Sequence, residues 1–151
     1  MDMTHKYRVA ATSTEVRNGF AIAEGIEPLI AFSAPPEFKG LAGRWTPEHF
    51  LVAAVASCFI STFSGMAFNS NFEFSSLELD TEGTLEQDEA GWRFKEVVLR
   101  PRLTIAHEKD KERGSRLLHK AEKNCLVARS LACPIVLEPA LFIAAHPVEV
   151  S

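Results

Sequence analysis

The sequence has no surplus of positive charge. Its 16 Lys and Arg residues are outnumbered by 20 Asp and Glu, leaving a formal net charge of −4. That balance argues against a nucleic-acid partner, because phosphate binding draws on clustered Lys and Arg. The one stretch with several cations, Glu108 to Arg116, mixes both signs and reads as a solvated helix face. Linkers, internal repeats and low-complexity tracts are missing too. One domain spanning residues 1–151 is therefore expected, long enough to bury roughly 70% of its unfolded surface. The opening residues, Met1 to Lys6, lack the charged-then-apolar order of a signal peptide, so a cytoplasmic chain is expected. Cysteine is scarce: three residues, an odd number, which suits a reducing compartment better than a disulfide framework. In that setting thiols are metal ligands, catalytic groups or plain core.

What the sequence does have is a long apolar run, Phe50 to Phe68. Its length raises the question of a membrane span. The run nevertheless carries Ser57, Cys58, Ser61, Thr62 and Ser64, is rich in Ala and has no basic flank. A buried helix is the better reading, with no membrane partner. Thr46 is a good N-cap, Pro47 suits the first helical position, and Glu48 complements the positive end of the helix dipole. Apolar residues surround nearly the whole circumference. A chain this short can hardly enclose such a helix alone, so a homodimer is expected.

Around that helix the pattern has period two. Tyr7 to Ala10, Phe20 to Ala23 and Leu29 to Phe32 read as strands, with Asn18-Gly19 as the first hairpin turn and Glu24-Gly25 as the second. Pro35-Pro36 and Gly40 to Gly43 mark an irregular loop. Leu77 to Glu86 and Glu96 to Ile105 alternate as half-exposed strands about a turn at Gln87 to Gly91, with acidic and basic outer rows able to pair. A second helix is expected from about Glu108, a short helical turn at Leu126 to Leu131, and one last strand from Ile135 to Ile143. The fold class is α+β.

Free cysteine is usually a small buried hydrophobe, and Cys133, beside Pro134 at the head of an apolar strand, keeps that reading. Cys58 lies mid-helix without a Cys or His at the spacing of a zinc site, so no metal and no cofactor are expected. Cys125 follows Lys120, Lys123 and Asn124 at a helix junction, where a positive helix end would favour its thiolate. None of the five histidines stands in a recognisable pairing with either cysteine.

Thr46 to Cys58, with its Pro-Glu start, Ala-rich run and Cys ten residues after the Glu, resembles the central helix of the OsmC/Ohr family. Asn124 to Leu131 is similar to that family's second-cysteine motif, and Arg17-Asn18-Gly19 matches the position of its active-site Arg. The likeness covers nearly the whole chain in element order. One departure stands out: the family commonly has Pro directly after its second Cys, and here Leu126 stands there.

The resemblance implies an OsmC-like fold: antiparallel sheets around a long buried helix, in an intertwined homodimer. It also implies a thiol peroxidase acting on organic hydroperoxides. Cys58 would attack the peroxide and Cys125 would resolve the sulfenic acid as a disulfide. Arg17 would stabilise the thiolate, Glu48 would orient the guanidinium, and an external dithiol, such as a lipoyl-type carrier, would reduce the disulfide. A cation is expected to be needed, because burial raises a thiol pKa and Cys58 lies far from its own helix N-terminus. Glu48 and Cys58 are separated by about 15 Å of helical rise, which points to sites shared between subunits. Phe50, Leu51, Phe59 and Phe63 are expected to wall the pocket. Two other functions fit the same residues: a redox sensor without turnover, and a binder of a small apolar ligand.

Overall fold

A computed structural model describes residues 3–145. The chain divides into two compact units, one ending at Leu51 and the other starting at Val52. In the first, strands β1 (Ala10–Glu15), β2 (Asn18–Ala23) and β3 (Ile26–Ser33) form an antiparallel sheet in the order β1-β2-β3. The first strand starts later than Tyr7, which is itself exposed.

The first turn is also displaced from its expected place. Glu15 pairs with Asn18, so the two turn residues are Val16 and Arg17, and Arg17 takes the left-handed conformation at φ +70°. Asn18-Gly19 is drawn into the strand because both residues are buried and paired on either side. A Cβ on Gly19 would stand 2.4 Å from the Thr12 carbonyl oxygen and 2.8 Å from the Phe32 ring. The second turn is where the sequence places it, with Gly25 at φ +76° between Ala23 and Ile26.

Helix α1 (Pro47–Asn69) starts as the sequence predicts. The Thr46 hydroxyl accepts from the His49 backbone N–H at 3.1 Å, and the Thr46 N–H donates to His49 Nδ1 at 3.2 Å. The pair is a capping box with His in the place of the usual Glu or Gln. By length and composition α1 would suffice to cross a bilayer, with a mean hydropathy of 1.8. From Val52 onward it is instead a core element of the second unit. Val55, Phe59, Phe63 and Ala67 recur every four residues and form its buried stripe. Phe63 meets Phe74 edge-on with ring centroids 5.3 Å apart.

The second sheet is mixed. Strands β4 (Ser76–Asp88) and β5 (Gly91–Ile105) make the long antiparallel hairpin, joined by a turn at Glu89-Ala90. Its outer rows pair as expected: Arg102 with Glu78 and Asp80, Arg100 with Glu82, and Lys95 with Glu86. The expected single last strand is two: β6 (Ile135–Leu137) and β7 (Ala140–Ile143), both parallel to β5 along one edge. The break falls at Glu138-Pro139, opposite Arg100-Pro101, where each strand has a proline with no N–H for the ladder. Between β5 and β6 come a 3₁₀ turn at Glu108–Asp110, helix α2 (Lys111–Asn124) and the single-turn helix α3 (Leu126–Arg129). The core of this unit gathers Val97, Leu99, Leu103 and Ile105 of β5 with the α1 stripe and Leu118 and Ala121 of α2.

Candidate active site

Gly114, Leu118, Ala121 and Cys125 follow one another at helical spacing and are all buried, so α2 delivers Cys125 to the interior. Cys125 then turns extended, at φ −67° and ψ 107°, and serves as the N-cap of α3. On α1, Cys58 sits beside the buried stripe and is half-buried. The two cysteines are separated by 67 positions in sequence, yet their thiols are close enough for each to shift the other's ionisation. The Cys125 thiol also points at the Val55 carbonyl oxygen, 3.9 Å away.

The two thiols are electrostatically unequal. Burial pushes Cys58 upward. The backbone N–H of Val127, the Cys125 thiol, the Thr62 hydroxyl and the backbone N–H of Leu126 more than offset it, and Cys58 lies below the ordinary thiol range. Cys125 is pushed up to about 11, first by burial and further by the neighbouring Cys58, against relief from the N–H groups of Ala128 and Val127. The first N–H groups of a helix have no partner inside it. Here α3 turns those of Leu126, Val127 and Ala128 toward the two sulfurs.

One expectation is corrected by this geometry. The positive helix end favours the Cys58 thiolate, while Cys125, fully buried, keeps its proton. Within the single chain the groups that lower Cys58 are amides, a thiol and a hydroxyl, with no cation among them. The sequence signal for this was present in Asn124 to Arg129, but nothing local tied it to a residue on α1.

Arg17 and Glu48 lie in the first unit. Arg17 is exposed at the β1–β2 turn. Glu48 is half-buried in the first turn of α1, and its Oε2 is buried with no hydrogen-bond partner among the described residues. The single chain therefore does not bring Arg17 onto that oxygen. The expected aromatic walls are also redistributed. Phe59 and Phe63 belong to the core, and Phe50 stacks on Trp45 at 6.0 Å and meets Phe32 edge-on at 6.3 Å. One helical turn beyond Cys58 an open cleft of about 450 Å³ runs between α1 and α2, lined by Thr62, Met66 and Asn69 on one side and Leu117, Lys120 and Asn124 on the other. Among the described residues no cluster of three His, Cys, Asp or Glu side chains is placed to hold a metal.

The family model for OsmC-like protein matches residues 40–140, a span that contains both cysteines of the pair. The chain belongs to the OsmC-like family. It is similar to the protein YmaD of Bacillus subtilis (strain 168), at 24% identity over 137 residues, covering 89% of this chain and 91% of that one. An OsmC-like protein of unknown function from Vibrio cholerae has the same fold, with a TM-score of 0.79 and 21% identity, over 90% of this chain and 99% of that one. So does an organic hydroperoxide resistance protein OsmC from Legionella pneumophila, with a TM-score of 0.75 and 20% identity, over 94% and 100%. At these identities the likeness to solved structures is one of fold. The OsmC-like fold of this chain is mixed α+β, with α1 as its long helix.

Proposed function

We propose that this OsmC-like protein is a cysteine-based peroxidase of the cytoplasm that reduces organic hydroperoxides to alcohols and is recycled by a dithiol. The observation that carries the reading is the inequality of the thiol pair. An attacking thiol needs to be ionised near neutral pH, and a resolving thiol is best kept protonated until the first has reacted. Cys58 and Cys125 divide in that way. The Cys58 thiolate attacks the outer peroxide oxygen, the O–O bond breaks, and the alkoxide leaves as alcohol after taking a proton. Cys58 is left as the sulfenic acid. The Cys125 sulfur then displaces water from it, forming the Cys58–Cys125 disulfide. An external dithiol, such as a lipoyl-type carrier, returns both thiols and becomes a disulfide itself. The likeness to an organic hydroperoxide resistance protein of Legionella pneumophila supports an organic hydroperoxide as substrate.

Arg17 and Glu48 are assigned to this site as contributions of a second copy. Glu48 and Cys58 stand about 15 Å apart along one helix, so they do not meet through their own helix. The orphaned buried Oε2 of Glu48 supports a missing donor. Ile22, Ile26, Leu29 and Ile30 of the first sheet are exposed, as an uncovered subunit face would be. The family match, residues 40–140, runs across Leu51, which supports reading the segments on either side of that boundary as parts of one functional domain.

The test is consumption of cumene hydroperoxide with a dithiol reductant. Wild type is expected to turn over steadily, Cys58→Ser not at all, and Cys125→Ser to consume one equivalent and stall. Undiminished turnover by folded Cys58→Ser would end the reading. A wild type that itself stalls after one equivalent would make the pair a redox switch instead.

A further inference from the structure

Hydroxyls inside helices ordinarily return to the backbone, donating to the carbonyl four residues back. Three hydroxyls of α1 and its C-terminal end do so: Ser57 to Ala53 at 2.8 Å, Ser61 to Ser57 at 2.9 Å, and Ser70 to Met66 at 2.7 Å. Thr62 is different. Its Oγ1 faces the Cys58 sulfur, 3.9 Å away, where habit would send it to the Cys58 carbonyl. We infer that Thr62 is a positioning residue for the reacting thiol, its hydroxyl donating to the Cys58 sulfur and holding it in the ionised form that attacks.

A threonine in a helix has two accessible side-chain rotamers, so the choice between carbonyl and sulfur is close to binary. A thiolate only accepts hydrogen bonds, which fixes Thr62 as the donor once Cys58 has ionised. Both residues are half-buried, so water competes poorly for either partner. The same contact is one of those that draw Cys58 below the ordinary thiol range against the pull of burial. The other donors all come from the Cys125–Val127 segment across the core, so Thr62 is the one that travels with α1 itself. A Val in its place would keep the shape and lose the donor.

The inference rests on Cys58 being the reacting thiol, but its test needs no peroxide. Cys58 alkylation by iodoacetamide is followed against pH, by mass spectrometry of the Cys58 peptide, in wild type, Thr62→Val and Thr62→Ser. Thr62→Val is expected to move the midpoint up by about half to one pH unit, slowing labelling at pH 6.5 by about three- to tenfold. The rates should converge at high pH, and Thr62→Ser should restore the wild-type profile. If Thr62→Val does not fold, Thr62→Ala removes the same donor. A profile for the donor-less variant that superimposes on wild type overturns the inference. So does a Thr62→Ser shift as large as that of Thr62→Val, which would assign the effect to packing. The peroxidase reading fails separately, through undiminished turnover in Cys58→Ser.

Discussion

Arg17 holds a backbone conformation, φ +70°, that disfavours every residue with a Cβ by about 1–2 kcal/mol. The residues suited to it, Asn18 and Gly19, stand next along the chain and are spent on strand pairing instead. A strained, exposed arginine is a reason to look for function at that position. Replacing Arg17 with Gly removes the strain and adds unfolded-state entropy of about 0.5–1 kcal/mol, which offsets part of the gain and leaves a small net change. Arg17→Gly is therefore expected to melt within a few degrees of wild type while its hydroperoxide reduction falls at least tenfold. A variant that keeps its activity would remove Arg17 from the site, and a large loss of stability would give the residue a structural role.

Helix α3 is only one turn long, yet its first N–H groups help to draw Cys58 below the ordinary thiol range. Leu126 matters at this scale. A proline there, as the family commonly has, would fit the first helical position and the extended backbone of Cys125 before it. It would also delete one of the N–H groups that face Cys58. Leu126→Pro is expected to leave α3 and the fold intact and to raise the pH at which Cys58 is alkylated. An unmoved profile would mean the Val127 amide, the Cys125 thiol and the Thr62 hydroxyl suffice without it. Most elements were legible in the sequence. The capping of α1 at Thr46, the alternation of β4 and β5, and the helical spacing that leads to Cys125 are all local signals. The displaced first turn was not, because the tight fit of Gly19 against Thr12 and Phe32 depends on a third strand. Nor was the thiol that the α3 amides favour, because they meet Cys58 only once the chain has folded across the core.

At the scale of the whole molecule the distribution of apolar surface is uneven. The second unit has a closed core, while Ile26 is 64% exposed and Leu29 51% exposed on the first sheet. On α1 a single stripe is fully covered, and Phe68 is 83% exposed near its end. An obligate dimer is expected, and sedimentation showing a stable folded monomer at micromolar concentration would contradict it. In such a dimer the half-covered α1 would make assembly part of folding in a mass-action sense. For a structure completed only by its twin, the unfolding equilibrium contains the square of the unfolded concentration, so each tenfold dilution lowers the melting midpoint. Such a protein has no single melting temperature of its own. Its stability would depend on how much of it a cell makes.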